Sequence, residues 1–170
     1  MIEGNPNSAV RAVIYEDLQC PDSAHFREML DRRILPRFAQ KVAFEHRDFP
    51  LAKHNWARKA AIVSRFFDTV SPQLAIEWRR YALSNLSWIT PDNFNQTLSA
   101  FAREHGADPA NATAALGDKS FADAVERDYR DGVARGIART PTVLVRDEPF
   151  IETFTFEEIS ASLEKATDGR

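Results

Sequence analysis

Two rhythms of apolar and polar positions run along the chain, and the changes between them divide it into parts. Ala9 to Glu16 (AVRAVIYE) is a short run rich in Val, Ile and Tyr after the turn-forming Gly4-Asn5-Pro6-Asn7, and it predicts a strand. Pro21 suits a first helical position, where the N–H it lacks has no partner in any case. Phe26, Met29, Leu30, Ile34 and Leu35 then recur at helical spacing until Pro36, so a helix is expected over residues 21–35. Val42, Phe44 and His46 alternate with Ala43, Glu45 and Arg47, the period of two of a strand, which Phe49-Pro50-Leu51 ends. From there the spacing becomes three and four. His54 to Val70, Pro72 to Leu86, Pro91 to His105 and Phe121 to Arg135 read as helices. Thr90-Pro91 reads as an N-cap with its first helical residue, Asp108-Pro109 opens a shorter helical piece, and Gly106 and Gly136 read as stops. After Gly136 the strand pattern returns in Thr142 to Val145 and Phe150 to Thr153, a hairpin turned by Arg146-Asp147-Glu148-Pro149. Thr155 and Glu158 form the capping box of a last helix through Lys165. The order is β-α-β, an all-helical block, then β-β-α.

Composition narrows the function classes. At 170 residues the chain is one domain, or one domain with a large insertion, on a prior of roughly 150 residues per domain. With 44% apolar and 28% charged residues it is globular, neither disordered nor fibrous. The net charge is −3 and the basic residues are scattered, which argues against a nucleic-acid partner. No apolar run approaches the roughly 18 residues that span a bilayer, so no membrane insertion is expected. Met1 to Ser8 lacks the basic and apolar parts of a signal peptide, which points to the cytoplasm for the sequence as written, and to the periplasm or another exported location if a signal has been removed. Cys20 is the one cysteine, so no intramolecular disulfide can form. Oligomeric state is not readable from the pattern.

Other chemistries find little support. His25, His46, His54 and His105 include no i, i+4 pair, no HExxH and no companion cysteine spacing, and no metal is expected. His54 reads as structural at the start of a helix, and His25 as a surface residue. Ser23 lacks a nucleophile elbow, and no glycine-rich phosphate loop occurs. Trp56, Trp78, Tyr81, Trp88 and Phe101 read as the core of the helical block.

Taken in order, Gly4-Asn5-Pro6, Asp17-Leu18-Gln19-Cys20-Pro21, Phe44 to Leu51 (FEHRDFPL) with His54, and Gly136 with Arg139-Thr140-Pro141-Thr142 resemble the landmarks of the DsbA-like thiol-disulfide oxidoreductases. The resemblance covers essentially the whole chain. It implies an α/β thioredoxin fold with an inserted all-helical domain: a discontinuous core of residues 1–53 and 137–170 around an insertion of residues 54–136. It also implies catalysis at Cys20 and, beside it, a cis Thr140-Pro141 peptide, the backbone of Thr140 pairing with an extended peptide substrate.

Two departures qualify that implication. The motif reads Cys20-Pro21-Asp22-Ser23, so Ser23 stands where the family carries its second cysteine, as a natural change or an engineered replacement. A serine oxygen cannot attack sulfur to release a mixed disulfide, and one arm of dithiol chemistry is lost. The nucleophile's setting survives. With Cys20 as N-cap, the N–H groups of Asp22 and Ser23 and the helix N-terminus are expected to favour thiolate, the Ser23 hydroxyl to add a donor, and the Asp22 charge to oppose them. Ile14 is the second departure, at a position where the family often buries an acid. The expectation is therefore a monothiol oxidoreductase that forms mixed disulfides with protein or peptide partners, released by an external thiol such as glutathione, with no bound cofactor. Two rivals share the fold: a non-catalytic, chaperone-like peptide-binding module, and an enzyme like the kappa-class glutathione transferases, which carry Ser where this chain keeps Cys20.

Overall fold

The computed structural model of the chain describes residues 1–169. Its strands are β1 (Ile2–Gly4), β2 (Arg11–Glu16), β3 (Ala43–Asp48), β4 (Thr142–Val145) and β5 (Glu148–Ile151). Its α-helices are α1 (Pro21–Met29), α2 (Leu35–Phe38), α3 (Ala57–Val70), α4 (Pro72–Ser84), α5 (Phe94–Glu104), α6 (Pro109–Ala114), α7 (Lys119–Ala134) and α8 (Phe156–Thr167). The five strands form one sheet in the order β1-β3-β2-β4-β5, with β2 and β3 parallel and every other pair antiparallel. Among the described residues no helix is long and apolar enough to cross a membrane.

The period of two along β2 assigns its faces. Ala12 and Ile14 point into a cluster with Phe26, Leu30 and Ile34 of the first helix, Val143 and Val145 of β4, and Ile159 and Leu163 of α8. Val13 and Tyr15 point the other way, toward Phe49, Tyr129 and Ile137. There α7 lies against the sheet because Gly132 has no side chain: a Cβ would sit 2.7 Å from the Phe49 ring and 3.1 Å from Tyr15. The helical block has its own core of Trp56, Val63, Phe67, Trp78, Leu98 and Phe101, which Leu18 from the loop between β2 and α1 also enters.

Several elements depart from the sequence pattern for local reasons. β1 was not expected; its three residues pair with β3 and carry too short a pattern to read. The first helix does not stop before Pro36. A π-helical turn at Leu30–Ile34, in which Leu35 N–H bonds Leu30 O five residues back, takes up the register the proline ring would otherwise break, and the helix continues to Phe38. Thr90-Pro91 is not a helix start: Thr90 and Asn93 bond each other's backbone N–H in a turn, and α5 begins at Phe94. The hairpin turns on Arg146 and Asp147 alone, with Arg146 at φ 54°, so β5 starts at Glu148 and carries Pro149 on the sheet edge, where a missing N–H is tolerated. Trp88 is 65% exposed, because Ile89, bonded to Asn85 O, takes the inward place beside it. The Thr155–Glu158 capping box is present.

Charge, too, is built into the interior. Glu16 and Asp48 are register partners at the ends of β2 and β3, both buried. Arg79 of α4 lies between them with no exposed surface, Nε donating to Glu16 at 2.9 Å and Nη1 to Asp48 at 2.6 Å. His46 Nδ1 lies 2.6 Å from the same Glu16 oxygen, and its Nε2 lies 2.9 Å from Glu3, which Arg27 and Arg80 also contact. On the other side, Arg65 of α3 bonds Asp48 and Asp128.

Burial alone would push the Glu3 carboxyl up, but the hydrogen bonds and charges of His46 and Arg27 together outweigh it and hold its pKa at about 2. Glu16 and Asp48 are likewise raised by burial and brought below their ordinary values chiefly by Arg79. A carboxylate whose pKa is depressed by folding stabilises the fold fully above its unfolded pKa, and that contribution is lost as pH falls through the folded one. For Glu3 the window runs from its ordinary value of 4.5 down to about 2. Urea unfolding at stepped pH is therefore expected to lose on the order of 3 kcal/mol from Glu3 alone across that window, a loss that Glu3→Gln removes. Stability that holds level down to pH 2 would contradict the network.

Candidate active site

The loop from β2 to α1 is shaped by Asp17, whose carboxylate is fully enclosed. Oδ1 accepts from Gln19 N–H at 2.7 Å, the short-range turn that aspartate favours after a strand, and Cys20 N–H donates to Asp17 O at 3.1 Å. Oδ2 accepts from Leu51 N–H at 2.7 Å and lies 2.8 Å from His54 Nδ1. Asp17 therefore ties the loop to the segment that leads into α3, and His54 completes that tie.

Cys20 then stands at the N-cap of α1 in extended backbone (φ −86°, ψ 125°), with Pro21 at the first helical position. Its carbonyl accepts from Ala24 N–H at 3.0 Å, starting the helix. The sulfur does not behave as the sequence suggested. It accepts no hydrogen bond from the first turn; instead Sγ donates to Thr140 O at 3.3 Å. A carbonyl oxygen only accepts, so at this contact the thiol is the donor. The Ser23 hydroxyl is buried and accepts from Asp17 N–H at 3.4 Å. Pro21 is exposed and Asp22 half-buried.

Thr140 arrives from the opposite side. Gly136, at φ +77°, ends α7, and the strap of residues 137–139 leads into the Thr140-Pro141 peptide, which is cis. Glu152 N–H donates to Pro141 O at 2.8 Å and Thr142 Oγ1 to Arg139 O at 2.7 Å, which fixes the strap to β4 and β5. Thr140 is buried, and its Oγ1 has no partner among the described residues. A cleft of about 560 Å³ lined by Arg135, Ile137, Arg139, Leu144 and Ile151 runs along this strap without reaching Cys20.

Cys20, Pro21, Ser23, Thr140 and Pro141 are thus brought together, and the histidines are not. His46 belongs to the charge network, His54 to Asp17, His105 stacks on Phe101, and His25 is exposed. Ile14 is fully buried among apolar side chains, so that position carries nothing ionisable. Among the described residues no group of three or more His, Cys, Asp or Glu is placed to hold a metal ion. Asp17 and Gln19 appear in the sequence reading only as part of the Asp17 to Pro21 landmark, with no role assigned to either. Asp17, a short acid right after a strand, carried a readable turn signal; Gln19 carried none.

The thioredoxin family model matches residues 1–165. None of the curated proteins compared matches the sequence. Among solved structures, the chain is similar to oxidised BdbD from Bacillus subtilis, at 22% identity and a TM-score of 0.87, covering 99% of this chain and 92% of that one. It is similar to the thiol-disulfide exchange protein alpha-DsbA2 from Wolbachia pipientis, at 17% identity and a TM-score of 0.83, covering 96% of this chain and 85% of that one. A periplasmic thioredoxin-like protein from Salmonella enterica serovar Typhimurium follows at 17% identity and a TM-score of 0.81, covering 98% and 89%. These likenesses establish the thioredoxin fold with a helical insertion.

The enclosure of Asp17 sets a test. Asp17→Ala strands the Leu51 N–H and Gln19 N–H and frees His54, and is expected to cost about 3 kcal/mol in urea unfolding. Asp17→Asn, which keeps an acceptor, is expected to cost less. An alanine variant within about 0.5 kcal/mol of the parent would show that the tie does not hold the loop.

Proposed function

The chain belongs to the thioredoxin family, and we propose that it is a thiol-disulfide oxidoreductase of DsbA-like type acting through the single thiol of Cys20. The observation that carries the reading is the place of the sulfur: at the start of α1 and within hydrogen-bond reach of the Thr140 backbone, where a bound peptide has main-chain groups to pair with.

In the proposed reaction the Cys20 proton passes to solvent, since the carbonyl that holds it cannot take it and Ile14 offers no base. The thiolate attacks one sulfur of a protein or peptide disulfide. A bond forms between Cys20 Sγ and that sulfur, the substrate S–S bond breaks, and the electron pair leaves with the second substrate sulfur as a thiolate, which takes a proton from water. An external thiol of the glutathione class then attacks the mixed disulfide as its thiolate and releases Cys20. Electrons balance across the two exchanges with no bound cofactor. Pro21 starts the helix that carries the sulfur, Ser23 fills the resolving position without resolving, and Asp22 sets a negative charge beside the site. The periplasmic relative favours an exported setting, where disulfide partners persist, over the cytoplasm.

A second reading, a peptide-binding module without turnover, draws on one observation: Cys20 is 4% exposed, so the sulfur presents little surface to a partner.

Ser23→Cys separates them. Two cysteines one helical turn apart at an N-terminus fall within the Cα separation of about 4.4–6.8 Å that a disulfide needs. The variant is expected to form that bond and to oxidise a reduced substrate protein in glutathione-free buffer, where the parent shows near-zero activity, and adding Cys20→Ser is expected to abolish the gain. A variant that forms the disulfide and does not pass it on would favour the binding module.

A further inference from the structure

We infer that Gln19 is a positioning residue for the Cys20 thiol: its side chain caps α3 from the loop that carries Cys20, so the helical block holds the sulfur in place. This rests on the reading of Cys20 as the reacting thiol.

α3 cannot cap itself. Its N-cap residue is Trp56, which makes no side-chain cap bond, as expected of an indole at a position that favours Ser, Thr, Asp or Asn. The orphan donors are met from outside. Gln19 Oε1 accepts from Trp56 N–H at 2.8 Å and from Ala57 N–H at 3.1 Å, and Gln19 Nε2 donates to Asn55 Oδ1 at 3.1 Å. Each of these side-chain bonds goes to the start of one helix. The helix itself is fixed elsewhere: Ala60 O accepts from Trp78 Nε1 at 2.9 Å, and Arg65 bonds Asp48 and Asp128. Of the two partners, the helix is the more firmly anchored, and the end of the loop at Gln19 and Cys20 is the part that a lost cap would shift.

One peptide unit, about 3.8 Å between Cα atoms, separates the pinned residue from Cys20. With Gln19 released, the 17–20 loop keeps the Asp17 bonds, the packing of Leu18 in the helical core and the Ala24 N–H bond to Cys20 O, but the sulfur loses the side-chain tie next to it that seats it against Thr140 O. Two consequences of opposite sign follow. A small neutral reagent reaches the sulfur more easily, while a peptide disulfide that must line up with the Thr140 backbone finds it out of line. Misplacement on the scale of 1 Å is enough to change such a rate by one to two orders of magnitude.

The test uses the full chain and two rates measured on folded protein: alkylation of Cys20 by iodoacetamide, and mixed-disulfide formation with a small peptide disulfide. Gln19→Leu is expected to alkylate roughly tenfold faster and to form the mixed disulfide roughly tenfold slower. Gln19→Glu keeps the acceptor, adds a negative charge that a helix N-terminus favours, and is expected to restore both rates. Ser71→Ala, which removes the cap that Leu74 N–H uses on α4, is expected to lower the melting temperature and move neither rate. Gln19→Asn, whose amide stops one methylene short of α3, is expected to follow Gln19→Leu by a smaller factor and decides the matter if the leucine variant does not fold. Parental rates in both Gln19→Leu and Gln19→Asn, or the same shifts in Ser71→Ala, would overturn the inference. A parent that forms no peptide mixed disulfide would sink the functional reading instead, and the alkylation rates would still decide the role of Gln19.

Discussion

The end of the sheet depends on one buried cation. β2 and β3 run parallel and finish with Glu16 and Asp48 side by side, two carboxylates removed from water that repel each other. Neither is tolerable there alone, since breaking a buried pair leaves an uncompensated charge worth about 3–5 kcal/mol. Arg79 bonds both and comes from α4, so the demand of the sheet for a cation is what docks the helical block over the strand ends. Arg65 repeats the arrangement from α3 on the outer oxygen of Asp48. Glu16 is followed directly by Asp17, and the same ties that settle the strand end settle where the loop to Cys20 begins.

From that point a polar frame transmits position to the sulfur. Asp17 faces inward to Leu51 and His54, Gln19 faces outward to the first turn of α3, and Cys20 is left at the N-cap with its thiol across from Thr140. On the proposed reading the frame is complete and the chemistry at its centre is reduced: Ser23 supplies a hydroxyl where a second thiol would close a redox cycle, and Ile14 supplies packing where an acid would move a proton. On that reading stability and catalysis are separable. The charged network and the loop bonds are independent of the missing atoms, which is why a fold so close to thiol-disulfide exchange proteins persists around a single cysteine.

Local signals in the sequence carried the element order. The period of two in β2 and β3, the proline after Cys20, the Thr155–Glu158 box and the glycine before the Thr140 strap each report on neighbours within a few residues, and each marks its element. What the sequence did not disclose depends on partners far apart in the chain. Arg79 reads as the polar face of a helix until Glu16, 63 residues away, is seen beneath it. The start of α3 was misplaced at His54 because its cap lies 37 residues upstream on Gln19, outside any capping pattern. Thr140 was placed beside Cys20 only through the family resemblance, since no local pattern links residues 120 apart, and the bond from the thiol to the Thr140 carbonyl was not expected.

In the proposed function the folded chain presents Cys20 as a working nucleophile. Mass spectrometry of the native protein mixed with a peptide disulfide tests it most directly, with the adduct located by digestion and the same mixture run in denaturant. One covalent peptide per chain is expected, on Cys20, formed by the folded protein and released by added thiol. A native chain that stays unmodified, with Cys20 reacting only after unfolding, would contradict it and leave the sulfur as a buried structural residue.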